Sequence, residues 1–181
     1  VTDGDGDYVD STLDITVDDD TPIIPEGTQD TVLFDDEAAN NLYGPQYVAN
    51  DGGVDDQNPN IVANEGTLLH SYGADGAGSL LLTGASSLPN GTFSAEVTEG
   101  GTLLTIYQDQ SEGVDPKVAV MTVSLSDTTS GSYTVDQINP IFHPDAGGPL
   151  ADEEEVSFTI DYRVTDGDGD YVDSTLDITV D

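Results

Sequence analysis

Cysteine is absent from this 181-residue sequence, and basic residues are nearly absent, with only Lys117 and Arg163 present. Without cysteine the chain can form neither disulfide bonds nor thiolate sites for soft metals. The 37 acidic residues give a formal net charge of −35 at pH 7. Nucleic acids and anionic membranes both require a basic face, so we exclude them as partners of this domain. No apolar run approaches the roughly 18 residues of a transmembrane helix, and no signal peptide is recognisable.

A charge of this size raises the question of disorder, because acidic chains with few apolar residues bury too little surface to fold. Here hydrophobic residues make up 35% of the sequence, and Val, Ile, Leu, Thr, Tyr and Phe fall into alternating runs. Such alternation is typical of folded β-strands. We therefore predict a folded domain whose compaction is opposed by self-repulsion and depends on cations that neutralise the acidic clusters.

One 18-residue segment occurs twice, letter for letter, because VTDGDGDYVDSTLDITVD is both residues 1–18 and residues 164–181. The two copies begin 163 residues apart. Identity at this spacing indicates one full period of a tandem array. We interpret residues 1–18 as the terminal strand segment of a preceding repeat, and residues 19–181 as one complete repeat.

Apolar and polar residues alternate with a period of two along most of the sequence, whereas helical periodicity is nearly absent. Clusters of Gly, Pro and Asn separate the runs, as turns separate short strands. We predict an all-β fold, an antiparallel β-sandwich that is immunoglobulin-like or an elaboration of that type, with about ten strands. Only Glu37–Leu42 has the pattern of a helical turn or two. The predicted strands are Thr31–Phe34, Thr67–Tyr72, Ser79–Thr83, Thr92–Thr98, Thr102–Gln108, Lys117–Leu125, Ser132–Val135, Val156–Val164 and Tyr171–Val180.

The last two predicted strands form a hairpin in which Asp166 faces Asp170 across a Gly-Asp-Gly loop. In this register the apolar faces of both strands fall on one side, and Arg163 lies opposite Asp173. The final strand of a tandem sandwich runs toward the pole where the chain leaves, so the hairpin before it turns at the pole where the chain arrives. We therefore expect this loop beside the linker Asp18–Pro22, whose three carboxylates and proline suit a domain junction.

Each copy of the repeated segment contains the run Asp-Gly-Asp-Gly-Asp, with a carboxylate at every second position. The glycines let the backbone curl so that three oxygens converge on one hard cation, and calcium accepts six to eight oxygen ligands in irregular geometry. The spacing matches the first three ligand positions of an EF-hand loop. However, Tyr8 and Tyr171 occupy the glycine position of that loop, and a strand follows in place of a helix. The alternative is an ordinary Asp-Gly turn with solvated acids.

On these grounds we predict Ca²⁺ as the cofactor. The predicted ligands are the acidic residues of both loops, of the linker and of its repeated counterpart: Asp3, Asp5, Asp7, Asp18, Asp19, Asp20, Asp166, Asp168, Asp170 and Asp181. A secondary set lies in smaller acidic clusters, for which solvated loops are the alternative: Asp35, Asp36, Asp55 and Asp56.

The sequence offers little for catalysis. The two histidines, His70 and His143, are far apart in the chain, and no serine lies in a Gly-x-Ser-x-Gly elbow. Glycoside hydrolysis requires a pair of acids, but among so many acidic residues the sequence singles out no such pair. We expect the protein not to be an enzyme.

The closing third of the period resembles the repeat units of giant type I-secreted bacterial adhesins of the repeats-in-toxin (RTX) group. The resemblance lies in GSYTVDQINPIFHP (Gly131–Pro144) and in Val156–Asp181, which continues into Asp-Asp-Asp-Thr-Pro as at Asp18–Pro22. It implies an extracellular extender domain at the bacterial surface, one of many β-sandwich repeats in a stalk that projects a ligand-binding tip for adhesion and biofilm formation. It also implies that calcium rigidifies the linkers and that neighbouring repeats are the partners.

Two departures limit this resemblance. The Gly-Gly-x-Gly-x-Asp nonapeptide of the calcium β-roll is absent, and a 163-residue period is longer than a simple immunoglobulin-like domain.

Two further possibilities stay open from the residues. The first is a calcium-dependent glycan- or surface-binding module, for which Tyr43, Tyr47, Tyr72 and Tyr107 would supply stacking faces. Near-identical repetition favours the extender over this module. The second is strand exchange, in which residues 1–17 pair with a neighbouring molecule.

Overall fold

The computed structural model describes residues 1–16, 19–25, 31–34, 64–89, 91–109, 117–139, 141 and 156–180, with residues 31–34 described by their backbone alone. These residues contain nine strands and one short 3₁₀ turn, Glu99–Gly101. None of the described elements is a helix with the length and apolarity needed to cross a membrane. The strands are β1 (Thr31–Phe34), β2 (Glu65–Thr67), β3 (Ala77–Ser87), β4 (Phe93–Thr98), β5 (Leu103–Asp109), β6 (Lys117–Leu125), β7 (Ser132–Gln137), β8 (Val156–Asp166) and β9 (Tyr171–Val180).

The strands form two sheets, which confirms the predicted all-β sandwich. One sheet has the order β1-β9-β8-β3, and the other has the order β2-β7-β6-β5-β4. All pairs are antiparallel except β1 with β9, which are parallel. This exception is a difference from the predicted antiparallel arrangement. It arises because β1 and β9 lie far apart in sequence, so no tight hairpin forces them to run in opposite directions.

The core lies between the inward faces of the two sheets. Along β8 every second residue from Val156 to Asp166 is buried, as period-two alternation requires of a strand with one covered face. Phe158 of β8 meets Phe93 of β4 edge to face, with ring centroids 5.2 Å apart. Such aromatic pairs add about 0.5–1.5 kcal/mol to the burial of their area.

Most predicted strands are present, and Lys117–Leu125 and Tyr171–Val180 have the predicted bounds. The prediction of a strand at Thr67–Tyr72 is wrong beyond its first residue. After β2 the chain leaves the ladder, and Ser71 forms an isolated bridge with Ile23, with backbone hydrogen bonds of 2.9 and 3.0 Å. The segment therefore pairs with the incoming chain instead of extending the sheet. The helical turn predicted at Glu37–Leu42 lies outside the described residues.

The two copies of the repeated segment have the same sequence in two environments. In the trailing copy Leu176 is fully buried, whereas its counterpart Leu13 is 84% exposed. All sixteen described residues of the leading copy are exposed. The leading copy is therefore an internal reference for what tertiary packing contributes to the same amino acids.

We expect Leu176→Ala to lower the free energy of unfolding by about 2–5 kcal/mol, because it removes a buried side chain and leaves a cavity. The matched variant Leu13→Ala should change it by less than about 0.5 kcal/mol. Urea unfolding in calcium measures both. Equal losses in the two variants would show that the leading copy is packed against the sandwich in solution.

Candidate metal centre

The loop between β8 and β9 brings three carboxylates together. Asp166 ends β8, and its backbone N–H donates to the carbonyl oxygen of Asp170 at 3.0 Å. The N–H of Gly169 donates to Asp166 Oδ1 at 3.1 Å. Gly169 has φ of +112°, which a residue with a side chain rarely adopts. With this backbone, carboxylate oxygens of Asp166, Asp168 and Asp170 lie within 4.8 Å of one another.

Asp166 is buried because it continues the inward-facing alternation of Tyr162 and Val164. It is 2% exposed, and its Oδ2 has no hydrogen-bond partner in the part of the chain that the structure describes. A buried polar atom without a partner is destabilising by about 1–3 kcal/mol, and more when it is charged. The position therefore favours a positively charged ligand at this oxygen.

Two other segments reach the same loop. Asp19 of the linker and Asp75 of the turn between β2 and β3 have carboxylate oxygens within 4.8 Å of each other and of Asp168. The backbone of the turn approaches the loop closely, because a Cβ on Gly167 would collide with the carbonyl oxygen of Asp75. The structure thus places the linker beside the hairpin loop, as the topology of the tandem sandwich predicts.

Asp20 binds the backbone of the turn between β2 and β3. Its Oδ2 accepts a hydrogen bond from the backbone N–H of Ala74 at 2.6 Å. Its carboxylate lies where a Cβ on Gly73 would be. In the described residues Asp20 joins neither carboxylate group, so it holds the linker against the turn without a cation.

The largest influences on the pKa of Asp168 raise it, against a smaller lowering by a backbone hydrogen bond with Asp170. A hydrogen bond with the Asp166 carboxyl raises the pKa of Asp168 above 3.8, and desolvation and the negative charge of Asp19 act in the same direction. When both carboxyls are ionised, neither can donate this hydrogen bond. A proton on Asp168 therefore relieves the same repulsion that a cation would relieve.

Neither basic side chain of the protein neutralises this cluster. Arg163 binds Asp173 through two hydrogen bonds of 2.7 and 2.8 Å and stacks 3.7 Å from the ring centroid of Tyr171. This confirms the predicted pairing of Arg163 with Asp173. Lys117 lies 4.2 Å from the ring centroid of Tyr107.

The leading loop has the same local geometry. The N–H of Asp3 donates to the carbonyl of Asp7 at 2.9 Å, and that of Gly6 donates to Asp3 Oδ1 at 3.2 Å. Carboxylate oxygens of Asp3, Asp5 and Asp7 again lie within 4.8 Å of one another. A hydrogen bond with the Asp5 side chain is the main cause that lowers the pKa of Asp3. Because this loop is exposed, the convergence of its three acids needs no tertiary packing.

Sequence reasoning missed Asp75. Its only signal is an Asp-Gly pair in the turn region Gly73–Gly78, which does not distinguish it from the other acidic turns of the chain. The remaining predicted ligands lie outside the described residues: Asp18, Asp35, Asp36, Asp55, Asp56 and Asp181.

Two of the aromatic candidates for ligand stacking are engaged within the protein. Tyr72 donates to the Thr129 carbonyl at 3.0 Å, and burial and the negative charge of Asp127 raise its pKa. The ring of Tyr107 faces Lys117. Tyr43 and Tyr47 lie outside the described residues.

His70 has a local structural role. Its ring nitrogens lie 2.7 Å from the Leu68 carbonyl oxygen and 3.1 Å from that of Thr129. These contacts tie the segment after β2 to the turn between β6 and β7. The other histidine, His143, lies outside the described residues.

We expect Asp20→Ala to speed hydrogen exchange at the Ala74 amide about fivefold in chelator, because one hydrogen bond contributes about 1 kcal/mol. Asp19→Ala is the matched control, since the neighbouring carboxylate faces Asp168 and not the turn. Amide exchange measured by NMR distinguishes the two. An unchanged Ala74 rate in Asp20→Ala would contradict a cation-independent attachment of the linker.

Comparison with known proteins identifies one family. No curated protein and no solved structure gives a significant match. A family model described as "Domain of unknown function (DUF5801)" matches residues 29–179, which include β1 to β8 and nearly all of β9. Since the match spans most of the chain and begins after the linker, the sandwich described above, with its acidic hairpin loop, belongs to the DUF5801 family.

Proposed function

We propose that this protein is a calcium-stabilised structural repeat, an extender that stiffens the stalk of a bacterial surface adhesin. The observation that carries this is the buried Asp166 carboxylate, with one oxygen that has no partner in the described structure, next to Asp168, whose carboxylate also meets acids from two further segments. Cation binding at this cluster would join the hairpin loop to the linker and to the turn before β3 through Asp168. The junction would then be stiff only when the cation is bound.

The chemistry of the donors favours calcium. The converging side chains are all carboxylates, and the chain has no cysteine for softer metals. Three segments that meet irregularly suit an ion that takes six to eight oxygens with flexible geometry, and backbone carbonyls or water would complete the shell. Magnesium is less suitable, because it requires near-ideal octahedral geometry.

The repeated segment supports a role in a tandem array. The leading copy exposes Leu13 and Ile15, whereas the trailing copy buries the equivalent Leu176 and Ile178 completely. A preceding sandwich would bury the leading copy in the same way. Its chain would then enter the next sandwich through Asp19 and Asp20, which lie at the acidic centre and at the turn beside it.

A weak calcium affinity at this site would suit an extracellular location. Extracellular calcium modules bind with dissociation constants of about 10⁻⁴–10⁻³ M. Sites of such low affinity stay empty at the low calcium concentration of the cytosol. In the cell the charge of −35 would oppose folding and keep the chain exportable, and calcium would favour the folded state after type I secretion. The resemblance to RTX adhesin repeats supports this route and a role in adhesion and biofilm formation.

Asp168→Asn should have opposite effects with and without calcium. In chelator at pH 7 we expect the variant to melt a few degrees higher than the wild type. An acid whose pKa is raised in the folded state makes the ionised folded protein less stable. This gain in melting temperature should shrink as the pH falls below the raised pKa of Asp168 in the folded protein toward 3.8, the ordinary value. Asp168 is then protonated in the folded and the unfolded states alike. In millimolar calcium the same variant should melt lower, because it loses a charged ligand.

Asp5→Asn is the matched control, because Asp5 occupies the same position in the exposed leading loop and should leave the melting temperature of the sandwich unchanged. Differential scanning calorimetry in both conditions checks the reversal. A variant that melts higher than the wild type in calcium as well would show that Asp168 binds no stabilising cation.

A protein of two consecutive repeats should be extended and rigid in calcium, and shorter and more variable in chelator. Calcium would hold the linker against the loop, whereas its removal leaves acids that repel one another across a free linker. Small-angle X-ray scattering measures the maximum dimension, and circular dichroism verifies that both domains stay folded. Equal dimensions in both conditions, with folded domains, would refute the extender mechanism.

A further inference from the structure

The segment that follows β2 is fastened to the turn between β6 and β7 by a compact set of hydrogen bonds. The N–H of Leu68 donates to the carbonyl oxygen of Gly131 at 2.9 Å. The hydroxyl of Tyr72 donates to the carbonyl oxygen of Thr129 at 3.0 Å, and Nε2 of His70 lies 3.1 Å from the same oxygen. We call these three contacts the latch. None of them involves the acidic cluster at the β8–β9 loop.

Glycine at position 131 lets the histidine ring come close to the turn. Gly131 has φ of +73°, a conformation that residues with a side chain rarely adopt. A Cβ at this position would lie 2.6 Å from the Leu68 carbonyl oxygen and 3.1 Å from Cε1 of His70. The ring also meets Tyr72 edge to face, with ring centroids 4.7 Å apart. The neighbours of His70 therefore restrict the orientation of its ring.

Both ring nitrogens of His70 face carbonyl oxygens. Nδ1 lies 2.7 Å from the oxygen of Leu68, as Nε2 does at 3.1 Å from that of Thr129. A carbonyl oxygen only accepts hydrogen bonds, whereas a neutral imidazole has one N–H and one nitrogen without a proton. In the neutral ring one of the two contacts therefore opposes two lone pairs. Only the imidazolium ion, with an N–H on each nitrogen, makes both hydrogen bonds.

The other titratable groups of the latch keep the same charge between pH 5 and 8. Burial and the negative charge of Asp127 raise the pKa of Tyr72, so its hydroxyl stays protonated. Hydrogen bonds from backbone N–H groups of its own turn lower the pKa of Asp127 to about 2, so its carboxyl stays ionised. On the linker, Asp20 faces the Ala74 amide. Histidine is the side chain that ordinarily changes charge in this range of pH, so His70 is the titrating group of the latch.

We propose that the latch is a pH-sensitive switch, in which His70 binds the Thr129 carbonyl oxygen only as an imidazolium ion. At mildly acidic pH the ring donates through both nitrogens and joins the segment after β2 to the turn between β6 and β7. When the second proton leaves, the shorter contact with Leu68 keeps the remaining N–H, and the contact of Nε2 with Thr129 opens. The switch needs no metal ion, so it goes beyond the calcium-dependent function proposed above.

The position of the latch gives the switch a consequence for the linker. The latched segment forms a bridge with Ile23 of the incoming chain through Ser71. It then continues into the turn whose Ala74 amide binds Asp20. Acidification therefore fastens the segment on which the linker rests, and a return to neutral pH loosens it.

The first test compares the stability of the full chain with that of His70→Gln, whose side chain has no second proton to gain. Protonation of His70 favours the folded state, because both N–H groups have these acceptors only there. The stabilisation is present below about pH 6.5, where an ordinary histidine gains its second proton, and is lost as the pH rises above this value. Urea unfolding in millimolar calcium should show that His70→Gln destabilises the protein about fivefold more in the unfolding equilibrium constant at about pH 5.5 than at about pH 8, the factor for one hydrogen bond.

Two variants are controls. Tyr72→Phe removes the other side-chain hydrogen bond to the Thr129 carbonyl oxygen and should destabilise the protein by the same factor at both values of pH, because its hydroxyl does not titrate between them. His143→Gln removes the only other histidine and should keep the pH dependence of the wild type. Circular dichroism verifies the fold of each variant.

A second measurement needs no variant. The ¹⁵N NMR spectrum of an imidazole distinguishes a nitrogen that carries a proton from one that does not. We expect His70 in the folded wild type to carry protons on both nitrogens at the lower pH, and on Nδ1 alone at the higher pH.

Two results would overturn the proposal. One is a neutral His70 ring that keeps its proton on Nε2 at the higher pH, because the contact with Thr129 would then not depend on the second proton. The other is a His70→Gln variant that destabilises the protein equally at both values of pH.

Discussion

Repulsion between carboxylates is the constraint on which the structure depends. The chain has 37 acidic and two basic residues, and the sandwich brings five of the acids to one pole. Folding must therefore offset both the loss of chain entropy and a local concentration of like charge. The raised pKa of Asp168 shows the same conflict, because the hydrogen bond to Asp166 exists only while a proton is present. The proposed divalent cation would relieve this repulsion at neutral pH, where few protons are available.

Comparison of the two copies of the repeated segment distinguishes the structure that the local sequence determines from the structure that tertiary packing determines. Gly6 and Gly169 both adopt positive φ, and both loops turn their three acids inward. Identical sequence thus produces the same loop with and without a packed neighbour. The burial of the first acid differs, however, because Asp3 is exposed while Asp166 is 2% exposed. Among the described residues, the second loop alone meets two further acids from other segments.

The linker is held by two kinds of interaction. Asp20 is bound by the Ala74 amide, which requires no metal, whereas Asp19 faces Asp75 and Asp168 in an arrangement that like charge opposes. Asp20 is thus held by a hydrogen bond alone, whereas its neighbour Asp19 lies among like charges that a cation would offset. The Asp20 hydrogen bond attaches the linker to the turn without a cation, and under the proposed function a cation that also bound Asp19 would stiffen the junction.

Sequence alone determined the sandwich, the bounds of several strands, the pairing of Arg163 with Asp173 and the convergence of the loop acids. These depend on alternation, on turn residues and on hairpin register, which act over a few residues. Tertiary structure decided the rest. The segment after β2 leaves its predicted strand to pair with Ile23, and this turn then presents Asp75 to a loop that lies about ninety residues later in the chain. Such contacts between distant segments have no local pattern, since they depend on how the sheets pack and where the glycines allow the backbones to meet.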